Sequence, residues 1–205
     1  MSQIALPLAA TPGSRAARIV IGSGNHRAVE ALAHPATWPF GTAVLGGPTR
    51  SGKSLLARWF AQSGKGEAID DADRMDETEL FHRWNRAQHS GTPLLLIGGA
   101  GEAGWEIALP DLASRLKAAL HLAIGPPDDA MLAELIALGA EARGLVLGEG
   151  AAAYLVPRTV RSYAGIEALV AMIDRLSMER KAPATLALWR DALEAVQGAV
   201  QPRLL

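Results

Sequence analysis

The chain has 205 residues, 49% of them hydrophobic, with a formal net charge of −1 and no cysteine. That length suits one domain, or one with a small helical appendage, and the apolar content is enough for a sizeable core. The near-neutral balance argues against non-specific nucleic-acid binding, so direct DNA contact is expected to be weak or absent. Absence of cysteine excludes a disulfide scaffold and cysteine-ligated metals, and fits a reducing cytosol.

In chain order, MSQIALPLAATPGS has no cationic stretch ahead of its short apolar run, so it does not read as a signal peptide. Residues 1–14 are expected to form a flexible tail. No apolar run reaches membrane-spanning length, and a soluble, cytoplasmic protein is expected. ARIVIGSGN reads as a short extended segment, with Asn25 as N-cap of a helix over HRAVEALAH. TAVLGG is a buried strand and GKSLLARWFAQ a helix, separated by a glycine-rich loop. EAIDDAD is a short strand ending in carboxylates. DETELFHRWNRAQHSG is helical, with Leu80, Trp84 and Ala87 on one face and Gly91 at the C-cap. TPLLLIGG and ALHLAIG complete the strands. Strands alternating with helices predict an α/β core with a parallel sheet and ligands at the strands' carboxyl ends. After GPPDD only helical periodicity remains, so the core is expected over 15–126 and a small all-helical lid over 127–205.

The loop carries the pattern G-x-x-x-x-G-K-S, formed by Gly47, Pro48, Thr49, Arg50, Ser51, Gly52, Lys53 and Ser54. A strand before it and a helix after it are the context a phosphate-binding loop requires. The glycines let successive N–H groups turn toward phosphate oxygens, and the helix adds its positive dipole end. Lys53 would neutralise the β- and γ-phosphates of ADP or ATP, and Ser54 would hold Mg2+. The bland counterpart is a glycine-rich turn capping an ordinary helix. Asp70 and Asp71 end the next strand, where Asp70 would position the metal and Asp71 polarise water. The alternative there is acidic residues favoured by a helix dipole. His82 and His89 share a helix face without carboxylate partners, and no Ser-His-Asp arrangement follows from spacing.

The phosphate loop, the IDD strand and LPDLASRL followed by a helical tail resemble the AAA+ ATPases of the bacterial replication-initiator family, and in particular its initiator-related regulators. IVIGSGNHRAVEAL is similar to the segment that lies against adenine in that family. LPDLASRL resembles the segment carrying its arginine finger, which falls on Arg115. QIALPL is similar to a motif that binds the DNA polymerase sliding clamp, implying clamp contacts from Gln3, Ile4, Leu6 and Leu8. The resemblance implies ADP or ATP with Mg2+ as cofactors, and the sliding clamp and the initiator DnaA as partners.

The chain also departs from the family. Asp70 follows Lys53 by only 17 positions (70 − 53), where relatives fit a further strand and helix, so a trimmed sheet of about four parallel strands is expected. LLLIGGAG ends in Gly98 and Gly99, where relatives carry a polar or acidic group. The lid's sensor arginine falls at Ala164, and Arg161 one turn earlier is the candidate substitute at the nucleotide. These losses imply weak self-catalysed hydrolysis and action on a partner's ATP through Arg115 in trans. A helicase- or clamp-loader subunit and a self-contained P-loop kinase are the alternative readings.

Overall fold

The computed structural model of the chain describes residues 6–7, 18–98 and 105–200. It divides into two compact units, Met1–Gly125 and Pro126–Leu205. Of the expected N-terminal tail, the described part is β1 (Leu6–Pro7), whose backbone pairs antiparallel with β2 (Arg18–Ile19).

The first unit is built on four parallel strands: β3 (Thr42–Gly46), β4 (Glu67–Ile69), β5 (Leu94–Ile97) and β6 (Leu120–Ala123). Their order is β4-β5-β3-β6, so the trimmed parallel sheet expected from the short Lys53–Asp70 spacing is present. All four positions of β5 and the first four of β3 are buried, as an interior parallel strand covered on both faces requires. Side chains alternate along each strand. Val44, Leu94 and Leu96 cluster with Leu80 of α3 (Glu77–Ser90) and with Leu112 and Leu116 of α4 (Pro110–Lys117). Ala43, Leu45 and Leu95 alternate to the opposite face and are fully buried. On that side α2 (Lys53–Gln62) packs against β4 and β5 and buries Leu56 and Phe60. Phe60 stacks on Trp38 at 5.2 Å between centroids, worth about 1 kcal/mol beyond area burial.

Local chemistry sets the helix ends. Asp76 caps α3 by accepting from Glu79 N at 3.0 Å, and Gly91 closes it in the left-handed region (φ 64), as its sequence position indicates. At α1 (His26–Ala33) the expected N-cap holds in position though not in bonding. Asn25 occupies the N-cap position, but its side chain makes no cap bond. Its Oδ1 instead accepts from Gly22 N at 2.9 Å and its Nδ2 donates to Val20 O at 2.8 Å. Asn25 is only 3% exposed, and a buried amide takes whichever partners satisfy both its ends.

The described part of the second unit is helical: α5 (Asp129–Ala142), α6 (Ala151–Leu155), α7 (Tyr163–Arg180) and α8 (Leu186–Val200). Asp128 and Ser162 cap α5 and α7 with their side chains, at 2.8 and 3.0 Å. Leu132, Ile136, Leu155, Ile173 and Trp189 belong to one buried cluster that unites the helices. Among the described residues, no helix is long and apolar enough to cross a membrane.

Tyr163 is buried against α5, with its hydroxyl 3.8 Å from Met131 Sδ. Burial, aided by the Asp128 carboxylate, pushes its phenol from the ordinary 10.0 up to about 12. The folded state therefore favours the neutral phenol. The resulting stability is fully present below the ordinary phenol value and is lost as pH rises through about 12. Tyr163→Phe should delete a late tyrosinate absorbance step from an alkaline titration. A deleted step near pH 10 would contradict the assignment.

Candidate nucleotide site

The eight-residue loop follows directly from the buried strand β3 and ends at the first residues of α2. Two of its bends, at Gly47 and at Gly52 (φ 88), need particular backbone. Gly47 has φ +146, and a Cβ there would lie 2.9 Å from Ile124 Cβ and 3.0 Å from Ile124 O. The loop is therefore pressed against the residue that follows β6, and a side chain at Gly47 would displace it. Ile124 N donates to Gly46 O at 3.0 Å, and Gly125 N donates to Gly24 O at 2.8 Å. These contacts bring the turn before α1, the end of β6 and the phosphate loop together, so the segment likened to an adenine-binding wall stands beside the loop.

Lys53 Nζ donates to Gly47 O at 2.9 Å and to Pro48 O at 2.7 Å. Partial burial lowers the pKa of its ammonium below the ordinary lysine value, while Asp70, then Asp73, then Asp71 oppose that shift. The strand β4 thus delivers its carboxylates into the electrostatic neighbourhood of the loop lysine. Ser54 is exposed on the first turn of α2, where the helix's leading N–H groups have no intrahelical partners. Pro48, Thr49 and Arg50 are exposed on the loop's outer curve, and Arg50 adopts φ 64. Ser51 is only 6% exposed, and its Oγ has no hydrogen-bond partner. A buried hydroxyl without a partner is rare in a finished site. Together with the lysine and the uncapped helix start, it fits a phosphate-bearing ligand. When bound, Mg2+ would draw on Ser54 and Asp70 and supply charge neutralisation between phosphates.

Asp71 sits in the left-handed region (φ 50), and its N–H donates to Asp70 Oδ1 at 3.2 Å. The left-handed residue starts a 3-10 turn over Ala72–Arg74. That turn carries Asp73, which sequence reasoning passed over, to the end of β5. A Cβ on Gly98 would lie 3.1 Å from Asp73 Cβ and 3.0 Å from the Trp105 ring. The space beyond β5 is filled by these neighbours, which explains glycine at 98. Gly99 lies outside the described residues.

Arg115 is half-buried on α4 and is already engaged. Its guanidinium lies 4.4 Å from the Phe81 ring centroid and 4.3 Å from that of Trp84, and Nη1 donates to Asn85 Oδ1. Residues 81, 84 and 85 share one face of α3, so the helix makes a berth for the side chain. In the helical unit, Arg161 is exposed and pairs with Asp129 at 2.7 Å, and Ala164 is exposed on the first turn of α7. Of the clamp-like segment, Gln3, Ile4 and Leu8 lie outside the described residues, and Leu6 is described only as backbone of β1.

No protein-family profile matches the chain. Among solved structures, it is similar to domain III of the Thermotoga maritima replication initiation protein DnaA. The identity is 16%, the TM-score 0.67, and the match covers 87% of this chain and 94% of that one. AMPPCP-bound DnaA from Aquifex aeolicus matches at 17% identity and TM-score 0.57, over 78% of this chain and 66% of that one. The Thermotoga maritima RuvB Holliday junction branch migration motor matches at 17% identity and TM-score 0.61, covering 85% and 70%. At such identities the likeness is one of architecture: the chain has the α/β fold shared by the AAA+ domains of DnaA and RuvB.

Proposed function

We propose that this chain is an AAA+ nucleotide-binding regulator of replication initiation, resembling Hda, the DnaA-related protein that switches off the initiator. The observation that carries the nucleotide part is the phosphate loop itself. A partly desolvated Lys53 rests on carbonyls of its own loop, carboxylates stand opposite, and Ser51 Oγ is buried without a partner. The lysine can exchange two carbonyl bonds for anionic phosphate oxygens, and charge-assisted bonds of that kind are roughly twice as strong. ADP or ATP with Mg2+ is the ligand class. Lys53→Ala should weaken ADP binding about tenfold to a hundredfold, from the loss of a charged hydrogen-bonding partner. Calorimetry giving wild-type affinity would remove the nucleotide reading.

The regulatory part rests on Arg115 and the N-terminal segment. A trans-acting arginine at a γ-phosphate contributes about a thousandfold or more in rate. Here it must first leave its berth on α3. Two cation–π contacts at about 0.5–1 kcal/mol each and one charge-assisted hydrogen bond of about 1.5–3 kcal/mol set the cost of that release. Arg115→Ala should retain ADP binding yet lose stimulation of ATP hydrolysis when mixed with initiator–ATP and DNA-loaded clamp. Stimulation at the wild-type level would defeat the trans mechanism.

QIALPL supplies a glutamine, apolar side chains and a proline that limits chain freedom, the chemistry of a peptide that docks on a partner's pockets. Replacing Gln3, Leu6 and Leu8 together by alanine should abolish capture on immobilised sliding clamp, with the melting temperature unchanged. Capture equal to wild type would show that the clamp is held elsewhere or not at all.

A further inference from the structure

The sheet's ligand-facing edge has a gap in its chemistry. β5 lies between β4 and β3, so its carboxyl end is central to the crevice where parallel α/β sheets bind ligands. Gly98 follows that strand, and its N–H lies 3.4 Å from Leu45 O, level with the start of the phosphate loop. It contributes no side chain. The Asp73 Cβ occupies the adjoining space instead, 3.1 Å from where a Cβ of Gly98 would be.

Asp73 and Asp71 are placed differently. Asp71 adopts φ 50 and donates its own N–H to Asp70 Oδ1, so its backbone steadies Asp70. The 3-10 turn that follows is anchored by the buried Ala72 and returns Asp73 to the strand ends. A ligand for the adjoining loop is indicated independently by Ser51 of that loop, 6% exposed, with Oγ lacking a partner.

We propose that Asp73, rather than Asp71, is the second acidic group of the nucleotide site, a positioning residue that orients the water shell of a nucleotide-bound magnesium ion beside Asp70. The assignment rests on the nucleotide reading above. Asp73 also stands ahead of Asp71 in its electrostatic influence on Lys53. Magnesium bound with a nucleotide keeps several of its waters, and carboxylates that hold those waters govern its affinity without ligating it directly.

The test compares Asp73→Asn with Asp71→Asn in the full chain, measuring ADP binding by calorimetry with magnesium and with EDTA. Asparagine is isosteric in both cases, and at 71 it keeps both the N–H that binds Asp70 and tolerance of positive φ. Asp73→Asn should weaken binding about tenfold in magnesium, should not weaken it in EDTA, and should lose more than Asp71→Asn does. An equal or larger loss for Asp71→Asn overturns the assignment. So does a loss for Asp73→Asn that is the same in EDTA, or no loss at all. Lys53→Ala separates the two levels: if it binds ADP like wild type, the nucleotide reading itself has failed.

Discussion

An ammonium drawn partly out of water must be met by oxygen, and the mouth of this sheet is organised around that demand. Lys53 satisfies it with the carbonyls of Gly47 and Pro48, which hold the phosphate loop curled over its own cation. The curl is possible because Gly47 can press against Ile124 without a side chain between them. That contact ties the loop to the end of β6, and Gly125 ties the end of β6 to the turn before α1. The carboxylates after β4 then balance a charge that the loop alone would leave under-solvated. Burial still lowers the lysine's pKa despite these partners, so an anionic oxygen reaching it would meet a partly desolvated charge.

How far this was legible in the amino-acid sequence depends on the range of the interactions involved. The β3–loop–α2 unit is a local pattern: an apolar run, glycines at fixed spacing and an amphipathic helix, each set by neighbours a few residues away. The sheet of four parallel strands was readable for the same reason, since each strand is a short apolar run bounded by turn residues. Asn25 shows where local reading stops. A polar residue before a helix suggests a cap, yet burial sent its amide to Val20 and Gly22. Arg115 shows the same at longer range. Phe81, Trp84 and Asn85 are visibly one helix face, but nothing in their spacing announces that a guanidinium from α4 lies on it.

Asp73 was hidden by a single backbone angle. Read as a string, IDDAD offers three carboxylates with no means of ranking them beyond position after the strand. The left-handed conformation at Asp71 breaks the strand's alternation and begins a tighter turn, so that electrostatic influence on Lys53 no longer follows sequence order. Non-glycine residues at positive φ are uncommon, although aspartate is among those that tolerate it best.

The order of the strands leaves β4 outermost, with three residues of backbone facing away from β5. Exposed strand edges are where soluble sheets recruit foreign strands and begin to aggregate. This edge is brief, and Glu67 and Asp70 put negative charge at or just beyond each end of it. An incoming strand would gain few hydrogen bonds and would have to desolvate both carboxylates. The short connection between α2 and β4 therefore leaves, among the described residues, a β4 edge with little backbone to offer and carboxylates at or beside its ends.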